Sequence, residues 1–173
     1  MVREGVPNFV IFDYDASAAD DNDTIFIQQS LDERLQAQVS KSDKKHSSIY
    51  YHPGYFQAKL VVRDTIVKEH NLFIKTNGWL ALAEYGEEVP VYFSKEEVIR
   101  NDGSLYISEE QLKAKNMTMQ PKVPWMNYFY MTDMEALNIQ NFIFETRLKN
   151  TFSEGSGICQ FTNIDLLFGV VSI

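Results

Sequence analysis

Apolar and polar residues alternate along most of the first half of the chain, as they do in strands that bury one face. The clearest case runs from residue 55 to residue 62, between the turn dipeptides Pro53-Gly54 and Arg63-Asp64. The same pattern predicts further strands over residues 8–15, 24–28, 35–39, 48–51, 66–74 and 79–85. Since turn signals recur about every ten residues and no long helical pattern intervenes, this half predicts an antiparallel sandwich or barrel.

The pattern changes after Tyr85, where helix-start signals replace regular alternation. Ser94 is followed by Glu97, and Ser108 by Gln111, which is the capping-box spacing that begins short helices. We interpret the polar residues 113–122 as a linker or a long loop. A second set of strands is predicted over residues 125–131, 141–149, 155–161 and 164–171.

The pattern as a whole predicts a mostly β chain in three parts. The first is a β-sandwich over residues 1–85, and the second is a connecting segment with short helices over residues 86–122. The third is a partial, β-rich second module over residues 123–173.

Composition mainly excludes certain classes of partner and site. The chain has 173 residues, a formal net charge of −8 and a pI of about 4.9. Such a chain repels phosphate groups and has no basic stripe, so neither nucleic acid nor an anionic membrane surface is expected as a partner. The single cysteine, Cys159, excludes an internal disulfide and a cysteine-based zinc site, and we interpret it as a buried apolar residue.

The two ends of the sequence suggest that it is a piece of a longer protein. Residues 1–5 are too polar for a targeting segment, and no apolar run is long enough to be a transmembrane helix. Residues 166–173 form an apolar run that ends without a cap, whereas natural domains seldom end on such a strand. We therefore expect a segment that is not itself membrane-inserted, excised from a membrane-associated protein.

Residues 50–62 (YYHPGYFQAKLVV) resemble the Y-x-x-P-G-x-Y-x-V-x-L-x-V signature of PKD-type domains, which are immunoglobulin-like β-sandwiches. The segment 9–17, which ends in Asp15-Ala16-Ser17, is similar to the opening F-D-A-S strand of that family. The resemblance implies an immunoglobulin-like sandwich in which Pro53-Gly54 forms a hairpin turn. At residues 31–34 the chain lacks the W-D-F-G-D-G segment of the family, so the module is a divergent one.

PKD-like modules of bacterial envelope proteins precede concanavalin- or laminin-G-like jelly rolls, and residues 141–150 resemble the start of such a jelly roll. The resemblance implies a non-catalytic binding or spacer module, periplasmic or at the cell surface, with a protein or glycan partner. A carbohydrate-binding module is the alternative, because exposed aromatic rings stack on sugars. The candidate rings, which would otherwise pack in a core, are Trp79, Tyr85, Trp125, Tyr128 and Tyr130.

Aspartates cluster where the first predicted strand ends, and we interpret them as a solvent-facing loop. They are Asp13, Asp15, Asp20, Asp21 and Asp23. Calcium is a possible ligand, because a cation relieves the repulsion between close carboxylates, although the spacing does not fit an EF-hand. No cofactor is otherwise expected, and the three histidines lack the spacing of a metal-binding pair.

The pair Asp13 and Asp15 also resembles the first motif of haloacid-dehalogenase-type phosphatases. There the first carboxylate attacks phosphorus, the second acts as acid and base, and magnesium neutralises the phosphate. That chemistry requires a doubly wound sheet with intervening helices. Because the pattern predicts no such helices, we keep the phosphatase as a second alternative and expect no catalytic residue.

Overall fold

The computed structural model describes residues 5–133, 140–149 and 162–166. The chain forms two compact units, unit 1 (Met1–Asn77) and unit 2 (Gly78–Ile173). Strands dominate both, so the prediction of a mostly β chain is confirmed. In the described part of the chain, neither helix reaches the length and apolarity that a membrane span requires.

Unit 1 is built from two antiparallel sheets. One pairs β1 with β4, and the other has the order β3-β2-β5-β6. Each predicted strand up to residue 74 is present with small differences at its ends. In the described residues the strands are β1 (Asn8–Asp13), β2 (Ile25–Gln28), β3 (Gln36–Gln38), β4 (Lys45–Tyr50), β5 (Gly54–Val62) and β6 (Thr65–Ile74).

The two turn dipeptides have different roles. Arg63 and Asp64 both have positive φ angles, 50° and 62°, and Val62 pairs directly with Thr65. Two such residues make the turn whose twist matches a hairpin, so β5 and β6 are a tight hairpin. Pro53-Gly54 is not a hairpin turn as expected, because β4 and β5 belong to different sheets and the dipeptide carries the chain between them.

One buried core cluster of unit 1 lies where β1, β4 and the end of β6 meet. Its buried residues come from β1, β4 and the last three residues of β6. They are Val10, Tyr50, Leu72 and Ile74. Earlier in β6, every residue from Thr65 to Asn71 is exposed. The two sheets therefore share a closed core at the end of β6 and an open space at its beginning.

Tyr50 makes the stability of unit 1 sensitive to alkaline pH. Burial raises the pKa of Tyr50 from 10.0 to about 12, and its hydroxyl donates a hydrogen bond to the carbonyl of Gln29 at 3.0 Å. A raised folded-state pKa stabilises the fold below pH 10, and this contribution, about 2–3 kcal/mol, is lost as the pH rises from 10 to 12. Urea unfolding at several pH values should therefore show a steeper alkaline decline for the unsubstituted protein than for Tyr50→Phe. Equal slopes would contradict the assignment.

Unit 2 contains a three-stranded antiparallel sheet of order β8-β7-β9 and two short helices. Both predicted capping boxes are confirmed: the Ser94 amide donates to Glu97 Oε2 at 2.7 Å, and the Ser108 amide to Gln111 Oε1 at 2.8 Å. In the described residues the elements are β7 (Leu80–Glu84), β8 (Val91–Phe93), α1 (Lys95–Val98), α2 (Glu109–Ala114) and β9 (Trp125–Phe129).

The boundaries of the predicted parts differ from those of the units. The strand expected to end the first module at residue 85 is β7, which pairs with β8 and β9, so the division falls after Asn77 instead. The predicted connecting segment 86–122 does contain the helices, but it also supplies core. The buried residues of this core are Ala81, Ala83, Phe93, Val98, Leu112 and Met117, the last inside the predicted linker 113–122.

Beyond residue 123 the predicted strands have different outcomes. The strand predicted over 125–131 is present as β9, whereas residues 141–149 form no strand and are exposed. Alternation shows which side chains can share a face, but a ladder also needs a neighbouring strand, which alternation does not encode. Residues 155–161 and Cys159 lie outside the described residues, and of the strand predicted over 164–171 only 164–166 are described, without strand structure.

Candidate functional site

An open cleft of about 930 Å³ lies at the beginning of β6, where the core of unit 1 ends. The end of β1 and the acidic loop after it form one wall, and β6 forms the other. Between them lies the inner face of β2 and β5. The apolar lining of the cleft includes Ile11, Ile27, Ala58, Leu60 and Val67, and its charged and polar lining includes Asp13, Asp15, Asp23, Lys68, Glu69 and His70.

The floor of the cleft is apolar. Ile27 of β2 stands directly beside Leu60 of β5 in the antiparallel ladder, so the two side chains share a face. Ala58 lies two residues before Leu60 on the same face. Ile27 and Ala58 are themselves buried, whereas Ile11 and Val67, which also line the cleft, are 58% and 53% exposed. Exposed apolar side chains that line a cleft mark interaction sites.

The β6 wall continues the core face with polar side chains. Leu72 is buried in the core, and alternation places His70 and Lys68 on the same face of the strand. The register agrees, because His70 stands opposite Ala58 and Lys68 opposite Leu60. A cation and an imidazole therefore face the cleft at positions where a closed sandwich would have apolar residues.

The β1 wall presents the edge of a strand. β1 pairs with β4 on one side, and within the described residues no strand pairs with its other side. The amide of Gly5 donates to the carbonyl of Lys75 at 2.9 Å, which places the start of β1 beside the end of β6. From there the two strands run in opposite directions and both line the cleft, so each presents an edge towards it.

The aspartates of the neighbouring loop are held mostly by basic side chains. Asp13 forms an ion pair with Lys45 at 2.9 Å, and Asp21 forms one with Lys41. Hydrogen bonding to Lys41 lowers the pKa of Asp21. These contacts place positive charge beside carboxylates for which calcium was a possible ligand.

Arg63, in the turn between β5 and β6, pairs with both Asp20 and Asp23. Its hydrogen bond lowers the pKa of Asp23. The Arg63 amide also donates to the carbonyl of Thr24 at 3.1 Å, so this one residue fixes the loop against the hairpin. Asp15 accepts a hydrogen bond from the Ser17 amide at 3.0 Å, which lowers the pKa of Asp15.

These contacts bear on the two functional predictions for the aspartates, which are a calcium site and a phosphatase motif. Among the described residues no three acidic, histidine or cysteine side chains converge as metal ligands would, and calcium binding stays a prediction. Asp13 ends β1 and Asp15 follows it, and all pairings between described strands are antiparallel. The doubly wound parallel sheet of the phosphatase alternative is not formed by these strands.

The candidate aromatic residues lie in unit 2 on two different faces. The rings of Trp79 and Tyr130 contact each other with centroids 5.2 Å apart, and 42% of Trp79 and 51% of Tyr130 are exposed. Tyr128 lies two residues before Tyr130 and shares that face. Trp125 points to the opposite face, where its Nε1 donates to Asn127 Oδ1 at 3.2 Å. Of the five candidate rings, three therefore share a face, Trp125 lies on the other face, and Tyr85 packs against the core of unit 2. Sugar binding by these rings stays a prediction.

Asp13, Asp15 and Asp23 line the cleft and were candidates from the sequence as metal ligands. The apolar residues of the cleft and those of β6 were not candidates, although one signal was present. In the strand predicted over 66–74, the alternate positions change from Ile74 and Leu72 to His70 and Lys68. That change marks where the core ends. Comparison with known proteins finds no matching family model, no matching curated protein and no matching solved structure.

Proposed function

We propose that unit 1 is a non-catalytic binding module of an extracytoplasmic protein, and that its ligand occupies the cleft between β1 and β6. The observation that carries the proposal is an open cleft between two strand edges, with the exposed apolar side chains of Ile11 and Val67 on its walls. Covering these side chains releases free energy, and the flanking edges offer backbone hydrogen bonds that orient a ligand. The resemblance to PKD-type modules supports the extracytoplasmic setting.

The strand order supports an immunoglobulin-like reading of unit 1. In immunoglobulin domains one sheet contains the neighbours A-B-E, and the other contains C′-C-F-G. The pair β1–β4 corresponds to B–E, and the order β3-β2-β5-β6 corresponds to C′-C-F-G. The edge of β1 that faces the cleft is the one that strand A would occupy.

A glycan-binding face in unit 2 is the second candidate, favoured by the half-exposed pair of Trp79 and Tyr130. Tilted, solvent-facing rings present the C–H-binding surface on which sugars stack. Because Trp125 lies on the opposite face, it belongs to this candidate only if sugars contact both faces.

A thermal melt with soluble ligands tests the proposal, and we expect peptides to raise the melting temperature. A ligand that binds the folded state alone stabilises it by about 2.7 kcal/mol at a hundredfold excess over its dissociation constant. Val67→Arg, on the cleft wall, should abolish the shift. Ile66→Arg should leave it intact, because the neighbouring Ile66 is exposed to a similar extent but does not line the cleft.

The same melt includes glycans, calcium and magnesium, so each alternative has its own result. A glycan shift removed by Trp79→Ala would favour the unit 2 face, and a calcium shift would assign the aspartate loop as a metal site. If no ligand raises the melting temperature, or if Val67→Arg and Ile66→Arg act alike, the cleft proposal is wrong.

A further inference from the structure

We propose that Asn77 is a site of spontaneous covalent modification, at which the backbone amide of Gly78 attacks the Asn77 side chain and converts it into isoaspartate and aspartate. The two residues lie in the connection between β6 and β7. Neither the cleft nor its ligand takes part in this reaction.

The reaction needs no enzyme, and water is its only co-reactant. The Gly78 amide nitrogen loses its proton and forms a bond to Cγ of Asn77, and the bond from Cγ to the side-chain nitrogen breaks, which releases ammonia. Water then opens the resulting succinimide ring at either carbonyl. One opening leaves aspartate, and the other leaves isoaspartate, whose backbone is longer by a methylene group. Because the attack is intramolecular, no encounter between separate molecules is needed for the ring to close.

Asparagine followed by glycine favours this ring closure. Glycine has no side chain to hinder the approach of its amide to the preceding residue, and it adopts backbone conformations that other residues avoid. In the whole sequence, Asn77 is the only asparagine that precedes a glycine. Gly78 has a φ angle of 75°, and Asn77 is exposed, so water reaches its side chain.

The Gly78 amide is available for the attack. Residues 77 and 78 form a bend outside the strands, and within the described residues no acceptor binds the Gly78 amide. An amide that donates a hydrogen bond has to give up that bond before it can lose its proton. The attacking nitrogen at this position carries no such cost.

The pair Asp102-Gly103 could close the same ring, but its contacts oppose the reaction. The Gly103 amide donates to the carbonyl of Arg100 at 2.9 Å. Oδ1 of Asp102 accepts from the hydroxyl and the amide of Ser104, at 2.7 and 2.9 Å, and these bonds lower the pKa of Asp102. An ionised carboxylate is a poor target for a nucleophile. Since Asp102 and Asn77 are both exposed, these contacts, and not access to water, distinguish the two positions.

A cation stands beside the reacting amide. A Cβ atom added to Gly78 would lie 3.6 Å from Nζ of Lys95, the first residue of α1. A nearby positive charge favours the loss of the amide proton and stabilises the negative charge that develops on the attacked side chain. Lys95 should therefore accelerate the reaction.

The modification also changes the surroundings of the aromatic pair of unit 2. Asn77 lies two residues before Trp79, whose ring contacts Tyr130. Both products add a negative charge there, and isoaspartate also lengthens the backbone. The reaction therefore makes the geometry of this second candidate site depend on the age of the protein.

Incubation of the purified protein at slightly alkaline pH, followed by rapid digestion and mass spectrometry, tests the inference. We expect isoaspartate and aspartate to accumulate at residue 77, while Asp102 stays unmodified. In urea, which releases the bonds of Gly103 and Ser104, the isoaspartate fraction at Asp102 should rise. An unincubated sample measures what the digestion itself adds. If Asn77 keeps its amide as fully as Asn71, which is exposed but precedes Leu72, the proposal is overturned.

Two lysine variants test the contribution of the neighbouring charge. Lys95→Gln, at an exposed position, should slow the reaction about two- to fivefold, the effect of one unit charge at roughly 4 Å in water. Lys113→Gln makes the same change in net charge away from Gly78 and should leave the rate unchanged. Equal rates for the two variants would overturn the role of Lys95. Isoaspartate at Asp102 of the folded protein, formed as fast as at Asn77, would overturn the selection of the site by the fold.

Discussion

Ile74→Ala is expected to lower the free energy of unfolding of unit 1 by about 2–5 kcal/mol. Ile74 is fully buried and lies in the core with Val10, Tyr50 and Leu72. The substitution removes three carbon atoms and leaves a cavity where both sheets of unit 1 contribute side chains.

Ile66→Ala is the matched control, because the same side chain stands on the same strand with 47% of its surface exposed. It should change the free energy of unfolding by about 0.5 kcal/mol or less. Urea unfolding followed by far-UV circular dichroism measures both variants. Trp79 and Trp125 both belong to unit 2, so tryptophan fluorescence follows that unit separately. Equal losses for the two variants would refute the placement of the core at the end of β6.

Local patterns predicted most of the elements. The strands of unit 1 follow from a period of two between turn residues, and the two helices follow from Ser94 and Ser108 with their partners three residues on. In both cases the signal lies within a few residues of the element that it predicts. Backbone sterics and capping hydrogen bonds act over that distance.

Pairing between strands could not be predicted in the same way. Pro53-Gly54 has the composition of a hairpin turn, yet β4 pairs with β1 and β5 pairs with β2 and β6. Which strands become neighbours depends on how distant apolar faces are buried, and a turn dipeptide carries no information about that. For the same reason, residues 141–149 alternate without forming a strand.

Residue type identified some of the candidate site residues, whereas the cleft depends on which strands lie close together. Trp79, Tyr128 and Tyr130 were identified from residue type, and β-sheet alternation then places Trp125 on the other face. The cleft requires two edges, β1 and β6, whose proximity comes from tertiary packing. On β6, the change from Leu72 to His70 and Lys68 was visible in the sequence, as polar residues at positions that otherwise face the core.

Met117 is a core residue that the sequence pattern did not predict, because the residues beside it are polar. It lies between Asn116 and Thr118, in a stretch that composition assigns to a linker. In the fold α2 ends just before it, and the Met117 amide donates to the carbonyl of Leu112 at 3.0 Å. This bond turns the side chain into the core of unit 2, where 1% of it remains exposed.

If Met117 belongs to the core, Met117→Ala should lower the free energy of unfolding of unit 2 by about 2–5 kcal/mol. Met117→Leu should cost less than about 1.5 kcal/mol, because it keeps a similar apolar volume. Urea unfolding followed by tryptophan fluorescence reports both, since both tryptophans lie in unit 2. A linker residue would give the opposite result, with neither substitution changing the transition. A large loss for alanine but not for leucine would establish that residues 86–122 contribute to the core of unit 2 rather than connecting two modules.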